Sequence, residues 1–193
     1  MGVNKVRFGL KNVHYAIVTE TTVGGVTTSS YDTPVAIPGA VHLTRDAESS
    51  DPSVFRADDS DYYIVKGSTS GFSGELEIAE VPEDFDEDVL GSVLDQNDVS
   101  VETSNDVTKY VALLYEVNGD DSARRYMIPK CLFSRPSIDA ETTGEDGNEP
   151  KTTTLNFTAS PRPDDGLSRL KTTSTTDAAV YSGWFTSVYT PTF

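Results

Sequence analysis

The order of apolar and polar positions along the chain predicts strands and turns, with two stretches of helical period. In residues 13–19, Val13, Tyr15 and Ile17 alternate with His14, Ala16 and Val18. Both sets are largely apolar, as in a strand buried on two faces. Residues 22–34 (TVGGVTTSSYDTP) carry two adjacent glycines, many hydroxyls and no period, and read as a flexible loop. A second strand is expected over 35–44. Pro38-Gly39 within it predicts a bend and an edge position, because proline removes a ladder donor. Residues 54–57 and 62–65 form two short strand candidates, split by Asp58, Asp59 and Asp61 at a solvated turn. Across 71–81 (GFSGELEIAEV), Leu76 and Ile78 take core positions and Glu75 and Glu77 take solvent positions.

The period changes at Pro82. Phe85, Val89, Leu90, Val93 and Leu94 recur at three- and four-residue spacing, and Glu83 and Asp84 complement a helix N-terminus, so a helix is expected over 82–95. Residues 110–117 and 124–133 are strand-like, and Asn118-Gly119 between them signals a hairpin turn. In 152–160, Leu155, Phe157 and Ala159 alternate with Thr154, Asn156 and Thr158. Residues 168–176, rich in Ser and Thr, read as a flexible connection to a short helix over 177–189. That helix places Val180, Trp184 and Val188 beside Tyr181, Phe185 and Tyr189 on one aromatic face. So short a helix is marginal alone, and its face needs a partner on its own domain or on a neighbour. The expected fold is mainly β: an antiparallel sandwich or barrel over 1–166 with one flanking helix, and a C-terminal arm over 167–193.

At 193 residues the chain suits one domain, whose folding buries roughly 70% of its unfolded surface. The single Cys131 cannot form an internal disulfide. Fifteen Lys and Arg against 31 Asp and Glu give a net charge of −16, which disfavours tight nucleic-acid binding, since that binding draws on cations displacing counterions. The first eleven residues lack a signal-peptide core, so no secretory leader is expected. The longest apolar run, 110–115, falls far short of the ~20 residues of a membrane span.

Catalytic signatures are missing: there is no GxxxxGK[ST], GxGxxG, HExxH or CxxC. The glycine-rich stretch 67–74 lacks the lysine and following helix of a phosphate cradle. His14 and His42 fall inside predicted strands rather than on loops. The clusters Asp58-Asp59-Asp61 and Glu145-Asp146-Asn148-Glu149 do not match the spacing of a calcium loop. No catalytic residue, metal ligand or cofactor is assigned, and a non-enzyme is expected.

Seven segments in order carry a family resemblance: residues 6–16 (VRFGLKNVHYA), 34–41 (PVAIPGAV), 74–79 (GELEIA) running into Pro82, Phe85 and Val89-Leu90-Gly91, then 110–116 (YVALLYE), 131–136, 152–161 with Asp164-Asp165-Gly166, and 181–191 with Trp184-Phe185. Together they resemble the major tail proteins, or tail tube proteins, of siphophages, especially those infecting Gram-positive hosts. The resemblance implies a β-sandwich or barrel with a flanking helix. It also implies hexameric rings, stacked into a tube around a channel for viral DNA, with tape-measure, tail terminator and distal tail proteins as partners. The location implied is the virion, after synthesis in the host cytoplasm, with no membrane and no cofactor. The insertions 22–33 and 139–148 depart from the family pattern.

Acidity then acquires a use, because a carboxylate wall repels phosphate; adaptation to salt is the other explanation. By alternation, Glu75, Glu77, Thr154 and Asn156 are the candidates for facing the channel. Asp139, Glu141, Glu145 and Asp146 in the polar interval 137–150, with Trp184, Phe185 and Tyr189 in the arm, are candidates for contacts between subunits. The intervals 22–33 and 137–150 are expected to be mobile in the monomer. The alternatives are an acidic β-sandwich acting as a binding or adhesion module and, third, a carboxylate hydrolase.

Overall fold

The computed structural model describes residues 4–49, 53–65, 69–138, 140 and 151–192. Its strands are β1 (Arg7–Val23), β2 (Val26–Tyr31), β3 (Val35–Ala36), β4 (Ala40–Leu43), β5 (Asp46–Ser49), β6 (Ser53–Ala57), β7 (Ser60–Val65), β8 (Thr69–Ile78), β9 (Val93–Leu94), β10 (Ser100–Val101), β11 (Tyr110–Gly119), β12 (Arg124–Phe133), β13 (Thr153–Ala159) and β14 (Leu170–Lys171). Ten of these form one antiparallel sheet in the order β2-β1-β11-β12-β13-β8-β4, with β3 on β1, β14 on β12 and β5 on β8. The sheet curls until β4 lies beside part of β1 without joining it, so the fold is an open, sandwich-like sheet and not the closed barrel.

Alternation along the strands sorts side chains onto two faces. One face carries the main core, in which Tyr15, Leu76, Ile78, Leu113, Ile128, Phe133, Leu155 and Phe157 pack against Phe85, Val89 and Leu90 from the helical segment. Its rings meet edge-on, with Phe85 5.1 Å from Tyr15 and 5.3 Å from Phe133. Cys131 lies in this core, where burial pushes its thiol up and leaves it uncharged. On the opposite face Ala16, Val18, Ala112, Leu114 and Met127 gather around Trp184. The 17-residue β1 shifts register twice along β11, between Phe8 and Leu10 and between Lys11 and His14. Gly9 (φ 73°) and Asn12 (φ 52°) supply the left-handed backbone that such bulges use.

Several expected elements take another form. Residues 22–34 contain strand β2 rather than a flexible loop: Val18–Val23 pairs with Val26–Tyr31 around Gly24-Gly25, both at positive φ. Adjacent left-handed residues make the tight turn whose twist suits a hairpin, and the Thr and Ser around it favour extended backbone. The helix expected over 82–95 is shorter, comprising α1 (Glu83–Phe85) and a π-helical turn, Asp86–Leu90. It stops at Gly91 (φ 85°), where the Val107 carbonyl oxygen lies 2.9 Å from the position a Cβ would take and the Lys109 N–H donates to Val89 O at 2.9 Å. The crossing chain leaves no room for another helical turn, and Val93 and Leu94 become an exposed strand paired with Ser100 and Val101.

The pairing of β11 with β12 is as expected, but Asn118 and Gly119 are not its turn; they extend β11 opposite Phe8 and Arg7. Residues 120–123 make the turn, tied by Asn4, whose Oδ1 accepts the N–H groups of Asp121 (3.0 Å) and Ser122 (2.9 Å). Residues 168–176 are likewise not a free connection. Leu170 and Lys171 add β14 to the sheet, and buried Thr172 donates its N–H to Arg125 O at 2.9 Å and accepts the Arg125 N–H on its hydroxyl oxygen at 3.0 Å. The terminal helix is α2 (Ala178–Ser182) with a 3-10 turn, Gly183–Phe185, and it ends before the predicted position 189.

Candidate inter-subunit surfaces

The register between β13 and β8 brings the four candidate channel residues together. Thr154 stands opposite Glu77 and Asn156 opposite Glu75, while Leu155 meets Leu76 on the core side. The polar band continues through the pair Thr158 and Ser73, with His42 of β4 opposite Glu77 and Asp46 of β5 opposite Ser73. Glu75, Thr154 and Asn156 are exposed, and Glu77 is half-buried, accepting a hydrogen bond from the Thr152 hydroxyl at 2.6 Å. Across the sheet, Thr158 faces Leu132 and Leu132 faces Tyr110, two residues from Ala112. The band therefore shares its sheet face with the Trp184 cluster. On β1, β11 and β12 that face carries the Trp184 cluster and is roofed by the C-terminal arm; on β13 and β8 it is polar and uncovered among the described residues.

The arm is fixed by a cap, an aromatic anchor and a charge latch. Asp177 Oδ1 accepts the N–H groups of Ala179 (2.8 Å) and Val180 (3.2 Å), satisfying the start of α2. Trp184, 3% exposed, sits over the small residues Ala16 and Ala112, and its Nε1–H donates to Tyr126 O at 3.3 Å. Phe185 stacks on His14 with ring centroids 4.7 Å apart. The Arg125 guanidinium pairs with Glu116 at 2.8 Å, donates to the Tyr181 carbonyl and lies 3.9 Å from the Tyr181 ring centroid. Glu116 is 3% exposed and is also held by Lys11 at 3.0 Å. Burial pushes its carboxyl up, but the hydrogen bonds and charges of Arg125 and Lys11 outweigh burial and hold it below the usual carboxylate range.

Of the candidate contact residues in the arm, Trp184 is buried against Ala16 and Ala112 of its own chain. Phe185 is half-buried against the same sheet. Tyr189 is 37% exposed. Asp139, Glu141, Glu145 and Asp146 lie outside the described residues.

The two short strand candidates at 54–57 and 62–65 pair as the β6–β7 hairpin. Asp58 (φ 51°) and Asp59 (φ 56°) turn it, and Asp61 pairs with Arg56 at 2.7 Å, which accounts for the acidic cluster structurally. The hairpin joins no other strand among the described residues. It leaves Val54, Phe55 (62%), Tyr62 (71%), Tyr63 and Ile64 exposed. A lone two-stranded hairpin is marginal in water, and this one has apolar side chains on both faces. The signal lay in Tyr62-Tyr63-Ile64, three consecutive apolar residues where a half-buried strand would alternate.

Among the described residues no three His, Cys, Asp or Glu side chains converge as a metal would require, and no helix is long and apolar enough to cross a membrane. No known family model matches the chain, and no curated protein matches it at a significant level.

Proposed function

We propose that this chain is the structural subunit of a long, non-contractile phage tail tube, joining in rings that stack around a channel for viral DNA. The observation that carries the reading is the divided sheet face. A monomer of independent function would gain by covering or shortening a curled sheet whose end strands β2 and β4 pair on one side only among the described residues, since such edges template association. In a ring, neighbouring copies cover those edges, and the polar band of β8 and β13 turns toward the lumen. Glu75 and Glu77 then repel phosphate within a screening length of about 8 Å at physiological salt, and a ring of six carries six times −16 overall. The family resemblance of the sequence supports the same reading.

Negative-stain electron microscopy of the concentrated protein should show hollow tubes of uniform width. A protein that stays monomeric in sedimentation up to millimolar concentration, and binds a ligand or cell surface, would overturn the proposal in favour of a binding module. The lumen assignment has its own test. Tubes of the double variant Glu75→Lys, Glu77→Lys should retain short duplex DNA in co-sedimentation while wild-type tubes do not; equal retention would move the band off the channel.

A further inference from the structure

Two adjoining cavities of about 930 and 490 Å³ share Lys5, Arg7 and Tyr126 in their walls. Arg45 and Arg169 complete the cationic lining of the larger one, and Arg124 and Lys171 that of the smaller. In a chain with 31 acids against 15 Lys and Arg, the joint trough is lined, among the described residues, by six cations and no carboxylate. None of the six side-chain ammonium or guanidinium groups pairs with a carboxylate among the described residues, whereas those of Lys11, Arg125, Lys130, Arg135 and Arg162 all do. Arg45 lies 3.3 Å from the Phe72 ring centroid, and its Nε is buried without a partner. Burial and the charge of Arg169 lower its affinity for its proton. The floor is aromatic: Tyr115 and Tyr126 stack at 5.1 Å, with Phe8 and Val41 alongside.

We propose that this trough receives the β6–β7 hairpin of a second copy of the chain, its acidic turn meeting the cations and its aromatic side chains covering the tyrosine floor. The hairpin has the complementary character on every count. Asp58 and Asp59 stand at its tip, Phe55, Tyr62 and Tyr63 are exposed along it, and nothing in its own chain pairs with it among the described residues. Aromatic anchors ringed by charge are the usual composition of a protein contact. The proposal rests on the tube reading and names one of its contacts. Because the trough and the hairpin are different surfaces, the association is head to tail and continues from copy to copy.

The test uses the full chain and reads self-association by sedimentation velocity, with tube formation followed by microscopy. Arg7→Glu with Arg169→Glu reverses exposed trough charges; Asp58→Lys with Asp59→Lys reverses the hairpin tip, and the milder Asp58→Asn, Asp59→Asn keeps residues that tolerate the left-handed turn. Each reversal should weaken association on the order of ten-fold, and combining the two reversals should restore it. Wild-type association should also weaken from about 0.1 M to about 1 M salt, as screening shortens from about 10 to about 3 Å. Tubes that form equally well from either reversed variant would overturn this contact and leave the tube reading standing. Restored association of the combined variant without tubes would support the contact and count against the tube. If the wild-type protein binds a short DNA duplex through Arg7 and Arg169 while association ignores both reversals, the trough is a nucleic-acid site and the proposal fails.

Discussion

Replacing Trp184 by Ala tests whether the C-terminal arm belongs to its own domain. The indole is 3% exposed, so nearly its whole surface, ~150–250 Å² for a large aromatic, leaves water on docking. At ~25 cal/mol per Å² that is a gross gain of about 4–6 kcal/mol. The variant also loses the hydrogen bond that the indole N–H donates to Tyr126 O at 3.3 Å, while release of the arm returns conformational entropy. The net cost expected is about 3–5 kcal/mol, as for other Trp or Phe truncations in cores. For a domain of this size each kcal/mol lowers the midpoint by about 2–4 °C, giving a drop of about 6–20 °C. Thermal and denaturant unfolding followed by circular dichroism checks this at concentrations where the protein is monomeric, since the variant has no tryptophan to report by fluorescence. Truncation after Arg169 should lower monomer stability at least as far, because it also removes β14. A loss below about 1 kcal/mol in the monomer, with failure confined to assembly, would refute docking in cis and return the arm to a neighbouring subunit.

Glu116 has a carboxyl held below its unfolded value, so its contribution to stability is complete above the ordinary Glu range, near 4.3, and is lost as pH falls through the lowered folded value. The difference in melting temperature between wild type and Glu116→Gln should therefore be largest near neutral pH and shrink in acid; a gap that does not change with pH would exclude the ion-pair latch. Gly74→Ala should destabilise by about 1–3 kcal/mol in urea, because its Cβ would lie 2.4 Å from both Phe157 Cζ and Thr44 O; a cost under about 0.5 kcal/mol would show that the Phe157 ring is not packed as described.

Much of the fold was legible because strand alternation is a local property. Leu76 and Ile78, and likewise Leu155 and Phe157, declare a buried face whatever strand lies beside them, and the polar face followed by parity for Glu75, Glu77, Thr154 and Asn156. Errors arose where a distant segment decided the local outcome. The helix after Pro82 stops at Gly91 because residues 107–109 cross there, and Asn118-Gly119 stays extended because Arg7 and Phe8 continue the ladder beside it.

What the sequence by itself determined was therefore the mainly β class, the inward and outward sides of each long strand, the acidic character and the absence of standard catalytic motifs. Only the tertiary structure decided which strands are neighbours. It placed Thr154 against Glu77 across 77 positions of chain and laid Trp184 on β1 and β11. It also gathered Lys5, Arg7, Arg45, Arg124, Arg169 and Lys171, scattered along the sequence, around one trough. The physical reason is that periodicity records which side of a strand is buried, whereas strand order is set by long-range pairing, whose loop-closure entropy changes little with the length of chain between partners.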